Sequence, residues 1–308
     1  MPLDMAAATH EPGEGPFPME GKTVLITGGN TGVGRSAASA LRRLGAEVVI
    51  TARDPAKGQA AVAVIDEGCP PGTPGHTAWQ RLDLASFDSI ERFCDRIAAE
   101  HEGIDVLVNN AGALLGTRSL TKEGFEATFG VNHLGHFLLT RRLLPLLRER
   151  PGARIVNVAS EAHRAVRGID FDDIQRARGY RPFRVYAESK LMNILFTREL
   201  ARRLADERIG VFAVHPGVVA SRFAQDGDTS GVIPWFYRLF RPFLRTPEQG
   251  AAGVVHLARA PGVFEHTGGY FIDDRPRRPS RAARDDALAR RLWDASEAWV
   301  AARGPGAG

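Results

Sequence analysis

The stretch Lys22-Thr23-Val24-Leu25-Ile26-Thr27-Gly28-Gly29-Asn30-Thr31-Gly32-Val33-Gly34 decides how this chain folds. Its first half is a short apolar, β-branched run, the mark of a buried strand. Its second half is a glycine turn. A helix follows, with apolar residues at Ala37, Ala40, Leu41 and Leu44 and a stop at Gly45. Strand, glycine turn and helix in that order make a phosphate cradle. The glycines allow a tight turn and let backbone N–H groups and a helix N-terminus face a pyrophosphate. Gly28, Asn30, Thr31, Gly32, Val33 and Gly34 are therefore candidate cofactor contacts. The plainer reading, a purely structural turn, explains the glycines less well with these flanks.

Outward from this turn the chain alternates strands and helices. Glu47–Ala52 reads as the second strand, and Arg53-Asp54-Pro55 follows it. The residue just past this strand meets the adenosine ribose of a dinucleotide. An acid there favours NAD, an arginine the 2′-phosphate of NADP. Asp54 before Pro55 also reads as a helix N-cap, which occupies its carboxylate. That leaves Arg53 as the phosphate reader, with Lys57 and Arg35 in support, and favours NADP(H) over NAD(H). Thr77–Leu82 reads as a strand ending at Asp83-Leu84, a candidate adenine contact or a plain strand-end turn. Ser86 caps the next helix.

Ile104–Val108 is the fourth strand, followed by Asn109-Asn110-Ala111-Gly112. That sequence is a turn signal. It also places Asn110, Ala111 and Gly112 at the carboxyl end of a strand, where ligands sit in such sheets. A helical region from about 122 to 150 carries Asn132, a poor mid-helix residue. A kink, a polar site contact or a solvent-facing side chain would each explain it. Ser160 ends the fifth strand, Arg154–Ser160, and the segment from Glu161 to Arg184 reads as irregular. The sixth strand, Ile209–Val214, ends in His215-Pro216-Gly217, with Val219 just beyond. A histidine locked before Pro-Gly reads as a structural turn residue rather than a catalyst. A helix over Pro247–Leu257 and a strand over Gly268–Ile272 complete the sheet, and a last helix spans Ala283–Ala301. The pattern predicts an α/β fold: one Rossmann-type, doubly wound parallel sheet of about seven strands with helices on both faces.

Tyr186 and Lys190 stand four apart at the start of a helical run. Positions i and i+4 share a helix face, so a phenol and an ammonium lie side by side. A free phenol titrates near 10 and is a poor acid or base at neutrality. Bringing it to about 7 takes roughly 4 kcal/mol, within reach of a cation in a dry cleft beside a cofactor's positive charge. Taken alone, a packed tyrosine with a surface lysine is the simpler reading.

Composition narrows the rest. Charged residues are 25% and hydrophobic residues 44%, ordinary for a globular chain, and the net charge is only +4. No basic stripe argues for nucleic acid. The two cysteines, Cys69 and Cys94, match neither a disulfide framework nor a metal site, and read as reduced in a cytoplasmic setting. No run of about 18 apolar residues occurs, so no transmembrane segment is expected. Residues 1–19 read as a disordered leader, 20–302 as the folded domain and 303–308 as a tail. Between 222 and 245, Trp235, Phe236, Tyr237, Phe240 and Phe243 interleave with Arg238, Arg241 and Arg245. This is expected to be a lid over an apolar substrate. A weak membrane-surface contact near 235–245 is the second reading.

Together, Thr27-Gly28-x-x-x-Gly32-x-Gly34, Asn109-Asn110-Ala111-Gly112, Asn132, Ser160, Tyr186-x-x-x-Lys190 and Pro216-Gly217 resemble the short-chain dehydrogenase/reductase family, over about 20–301. Val131-Asn132-His133-Leu134-Gly135-His136-Phe137, Arg154–Val158, Ala289–Trp293 and the long Ser160-to-Tyr186 separation are similar to its retinol dehydrogenase-like branch. That resemblance implies an oxidoreductase acting on a small apolar alcohol or carbonyl, as a monomer or homodimer. It implies Tyr186 as general acid or base and Lys190 as its tuner and ribose contact. It also implies Ser160 as partner of the substrate oxygen, and Asn132 as holder of a relay water. Pro216, Gly217 and Val219 are implied cofactor contacts. Two other readings share the fold: a silent dinucleotide-binding protein, and an epimerase or dehydratase using the same Tyr-Lys pair.

Overall fold

In the computed structural model, which describes residues 15–218 and 245–305, the opening strand β1 (Thr23–Ile26) lies near the centre of one sheet. β2 (Glu47–Ala52) and β4 (Val106–Asn109) flank it, both parallel. Outside them lie β3 (Thr77–Arg81), β5 (Ala153–Val158), β6 (Ile209–His215) and β7 (Tyr270–Ile272). The strand order is β3-β2-β1-β4-β5-β6-β7-β8. The chain reverses direction across the sheet between β1 and β4, and in sheets of this kind ligands bind at the carboxyl ends of the strands flanking that point.

The eighth strand was not expected. β8 (Arg275–Arg277) pairs antiparallel with β7. Asp273, at φ 59°, takes the left-handed turn between them, a conformation that aspartate tolerates. With no apolar side chain but a proline's, Arg275-Pro276-Arg277 offers no strand pattern to read.

Successive strand residues point to opposite faces, so both faces are buried. Leu25, Val49, Leu107, Ile155 and Val211 face one layer of helices. It contains α3 (Phe87–Glu100), α5 (Gly135–Arg148), α6 (Pro182–Arg203) and α8 (Asp286–Ala302), after a single turn α4 (Ala127–Phe129). Val24, Ile50, Val108, Val156 and Phe212 face the other, built on α1 (Gly32–Arg43), α2 (Pro55–Glu67) and α7 (Pro247–Arg259). Met19, assigned to the leader from sequence, is buried in this second layer, and its N–H donates to Leu44 O. Arg303, assigned to the tail, caps α8 and pairs with Asp88 and Glu91. The last helix starts at Asp286, because Asp285 accepts from the N–H groups of Ala287 and Leu288. The aromatic segment at 222–245 and Val219 lie outside the described residues, apart from Arg245. Among the described residues no helix is long and apolar enough to cross a membrane.

Candidate active site

The glycine turn is held from both sides. Gly28 N–H donates to Thr51 Oγ1 of β2 at 3.2 Å. Thr27 Oγ1 accepts from the N–H groups of Asn110 and Ala111 at 2.9 and 3.0 Å. The Asn110 side chain donates back to Thr27 O at 2.8 Å and Gly28 O at 3.3 Å. Asn110 therefore serves the turn, and the turn signal and the ligand-crevice reading meet in one residue. A Cβ on Gly34 would fall 2.6 Å from Gly28 O and against Asn110 Nδ2. Gly28 and Gly32 have φ of 64° and 55°, which glycine adopts freely. Thr31 makes no side-chain cap, and α1 has no acid in its first turn. The donors and positive end of α1 are thus left for an anion, so these residues fit a dinucleotide's pyrophosphate. Asn30, Thr31, Gly32 and Val33 lie along this turn, with Gly112 beyond Ala111 at the end of β4.

Arg53 and Lys57 are exposed beyond β2, beside the same end of the sheet. Asp54 caps α2 as expected, accepting from Ala56 N–H at 2.9 Å and Lys57 N–H at 3.2 Å. Asp83 makes the turn contact: its Oδ1 accepts from Ala85 N–H at 3.0 Å, and Leu84 beside it is buried. Gly217, after Pro216 at the end of β6, has φ 83° and lies against the Arg245 side chain. His215 is buried there, and burial pushes its pKa down to about 4, so it is neutral.

On α6, Tyr186 is half-buried and Lys190 is buried on the same face. The Lys190 Nζ lies 5.6 Å from the centre of the Tyr186 ring. It donates to Val158 O at 3.0 Å, two residues before Ser160. Burial pulls its pKa down to about 8. Ser160 sits at the carboxyl end of β5, its Oγ accepting from Ala162 N–H at 3.2 Å. A hydroxyl accepting there still has its own proton to donate.

Asn132 is fully buried in a π-helical turn, Gly130–Leu134, between α4 and α5. Such turns widen a helix locally and occur often at functional sites. Its side chain grips Ala113 twice, accepting from the N–H at 2.7 Å and donating to the carbonyl at 2.9 Å. It also donates to Ser189 Oγ at 2.9 Å, and Ser189 Oγ donates to Tyr186 O at 2.7 Å. Of the explanations considered from sequence, the side chain is buried in polar contacts at a π-helical turn rather than facing solvent.

Behind these residues lies a polar ladder that sequence reading missed. Asn109 donates to Asn157 Oδ1 and Thr140 Oγ1, and Asn157 donates to Thr197 Oγ1. His136 and His163 were missed as well. His136 joins Thr27 to Asn132 O, and His163 donates from Nδ1 to Ser160 O at 2.6 Å. Only His136 carried a signal, the Asn132-to-His136 spacing of one helical turn. Among the described residues no cluster of His, Cys, Asp or Glu could hold a metal.

A parallel sheet with a glycine turn at its switch point, and a Tyr-Lys pair one strand beyond, define a dinucleotide-dependent oxidoreductase class. The short chain dehydrogenase profile matches residues 22–230, and the chain belongs to that family. Retinol dehydrogenase 14 of Mus musculus is 42% identical over 296 residues, covering 94% of this chain and 88% of that protein. Retinol dehydrogenase 12 of Mus musculus is 42% identical over 276 residues, covering 90% and 85%. A crystal structure of an uncharacterised protein from Mycobacterium paratuberculosis superposes with a TM-score of 0.70 at 35% identity, covering 90% of this chain and 92% of that one. The Pseudomonas aeruginosa RhlG/NADP complex gives 0.66 at 27% identity, covering 85% and 98%. Within the family the chain is a retinol dehydrogenase-like oxidoreductase.

Proposed function

We propose that this protein is an NADP(H)-dependent oxidoreductase interconverting a small apolar alcohol and its aldehyde or ketone. The observation that carries it is the Lys190 ammonium beside the Tyr186 ring, at the crevice end of the sheet. A nicotinamide held at this end of the sheet would supply the hydride chemistry. Tyr186 gives its phenolic proton to the carbonyl oxygen during reduction and takes it back during oxidation. The ammonium favours the phenolate, so the proton leaves at lower cost. The Ser160 hydroxyl donates to the same oxygen and offsets its growing negative charge. Asn132 acts through Ser189, which ties the Tyr186 carbonyl and steadies that turn of α6. The relay role implied by resemblance, in which Asn132 holds a water, belongs to this reading; the Asn132 carbonyl also accepts from His136 Nδ1.

The glycine turn, with Asn110, Ala111 and Gly112, would hold the pyrophosphate and its neighbours. The preference for NADP is supported by the exposed Arg53, while Asp54 Oδ1 is engaged in its cap. The apolar substrate is supported by the aromatic composition of 235–245 and by the names of the relatives. The two reduced cysteines support a cytoplasmic setting.

A substrate panel from short aldehydes to long-chain and ring ketones, run with NADPH and NADH, tests the reading. Tyr186→Phe is expected to bind dinucleotide normally and to lose about 100-fold or more of kcat. Near-native turnover in that variant would remove the assignment.

A further inference from the structure

Ser160 is followed by a 3-10 turn, Glu161–Ala165, and the C-terminal part of the chain grips that turn at three points. Tyr270 OH donates to Glu161 Oε1 at 2.7 Å. Arg164 donates to Arg278 O at 2.8 Å. The third contact runs through His163, which is fully buried. Its Nδ1 faces Ser160 O at 2.6 Å, and its Nε2 faces the Ser280 N–H at 3.1 Å. A carbonyl can only accept and an amide N–H can only donate. The ring is therefore the neutral tautomer with its proton on Nδ1, and both nitrogens are spent. Ser160 itself is extended, at φ −160° and ψ 150°. Its carbonyl takes a second bond from the His163 N–H at 3.1 Å.

We propose that His163 is a positioning residue: its Nδ1–H, donated to Ser160 O, fixes the Ser160 backbone and so sets where the Ser160 hydroxyl points. The inference rests on reading Ser160 as the partner of the substrate oxygen. The Ser280 N–H on Nε2 keeps the Nδ1 proton on the Ser160 side of the ring. A donor displaced by about 1 Å loses much of its value to a transition state.

Two substitutions separate the two ends of the ring. In His163→Asn the amide nitrogen takes the place of Nδ1 and keeps the bond to Ser160, losing Ser280. In His163→Gln the amide oxygen takes the place of Nε2 and keeps Ser280, losing Ser160. The full-length protein is assayed for kcat, for both KM values and for thermal melting. H163Q is expected to lose about tenfold or more of kcat with the dinucleotide KM unchanged, while H163N stays within about threefold of wild type. Equal losses of kcat in the two variants, matched by equal losses in melting temperature, would mean a packing role and overturn the proposal. So would native kcat in H163Q. If H163Q is not recovered folded, a tenfold loss in folded H163N overturns it alone. Ser160→Ala is run alongside. Native turnover there sinks the Ser160 reading and this proposal with it. Lost turnover there with native H163Q sinks only the His163 step.

Discussion

Thr27 Oγ1 and His136 Nε2 lie 2.9 Å apart, although 109 residues separate them in the chain. Nδ1 faces a carbonyl and can only donate to it, so Nε2 of the neutral ring accepts from the Thr27 hydroxyl, whose other acceptor, Val108 O, lies farther off at 3.4 Å. The other ring nitrogen then donates to Asn132 O at 3.2 Å. One buried ring thus joins the glycine turn to the π-helical turn. His136→Leu removes both bonds and leaves the Thr27 hydroxyl only the Val108 carbonyl at 3.4 Å. The expected loss is about 1–3 kcal/mol of stability, measured by urea unfolding at pH 7.5. An unchanged midpoint would show that the bridge contributes nothing.

Stability is expected to fall as the solution is acidified below about pH 6.5. Burial holds His136 and His215 down to about 4 and His133 to about 3. In the unfolded chain each binds its proton near the ordinary 6.5. Between those values the unfolded state carries more protons, so stability rises with pH across the window and is complete above it. For His136 alone the loss by pH 4 is about 3 kcal/mol, at about 1.4 kcal/mol per tenfold change in proton affinity. His163, also held down by burial, adds to them, and Glu188, raised by burial, runs the other way as one group against four. Urea midpoints at pH 7.5, 6 and 5 should decline in order, and His136→Leu should flatten the trend. A level profile in the wild type contradicts the burial argument.

Gly34→Ala is expected to damage both stability and dinucleotide binding. Gly34 lies in α1 at an ordinary φ, so backbone strain is not the cause. The added methyl would press on Gly28 O and on the Asn110 amide. Either the turn opens or Asn110 lets go of Thr27 O and Gly28 O. Overpacking of this kind costs about 1–3 kcal/mol. Quenching of protein fluorescence by NADPH should report at least a tenfold weaker Kd. Native affinity would mean that the turn can move without consequence.

How much of this was legible depends on where each partner sits in the chain. The glycine turn could be read because its strand, turn and helix are contiguous. The Tyr186–Lys190 pair could be read because a helix fixes i and i+4 on one face. Asp54 could be read because a cap acts on the next two residues. His163 could not, because its second partner, Ser280, is 117 residues away. Nor could the Asn109–Asn157–Thr197 ladder, where each amide is unremarkable until β4, β5 and α6 are stacked. Asn132 lay between: its residue type flagged a misfit, but only the fold brings Ala113 and Ser189 to it. Local physics is written in local sequence, and site-building contacts across the sheet are not.

On the proposed reading, cofactor choice turns on two neighbouring residues with opposite charges. Asp54 and Arg53 both follow β2, where the adenosine ribose of a dinucleotide would lie. The Asp54 carboxylate accepts two N–H groups of α2 and closes its first turn. Arg53 is exposed, and Lys57 lies on the same end of α2. On the proposed NADP reading, a 2′-phosphate would meet these cations there. Arg53→Asp reverses that balance. It is expected to raise KM for NADPH by about tenfold or more and to lower KM for NADH, with kcat on the better cofactor nearly kept. Exposed charges act through water, so the NADPH penalty should shrink in 0.5 M salt. An unchanged NADPH/NADH ratio in Arg53→Asp, followed by a large shift in Lys57→Glu, would move the phosphate contact one helical turn along.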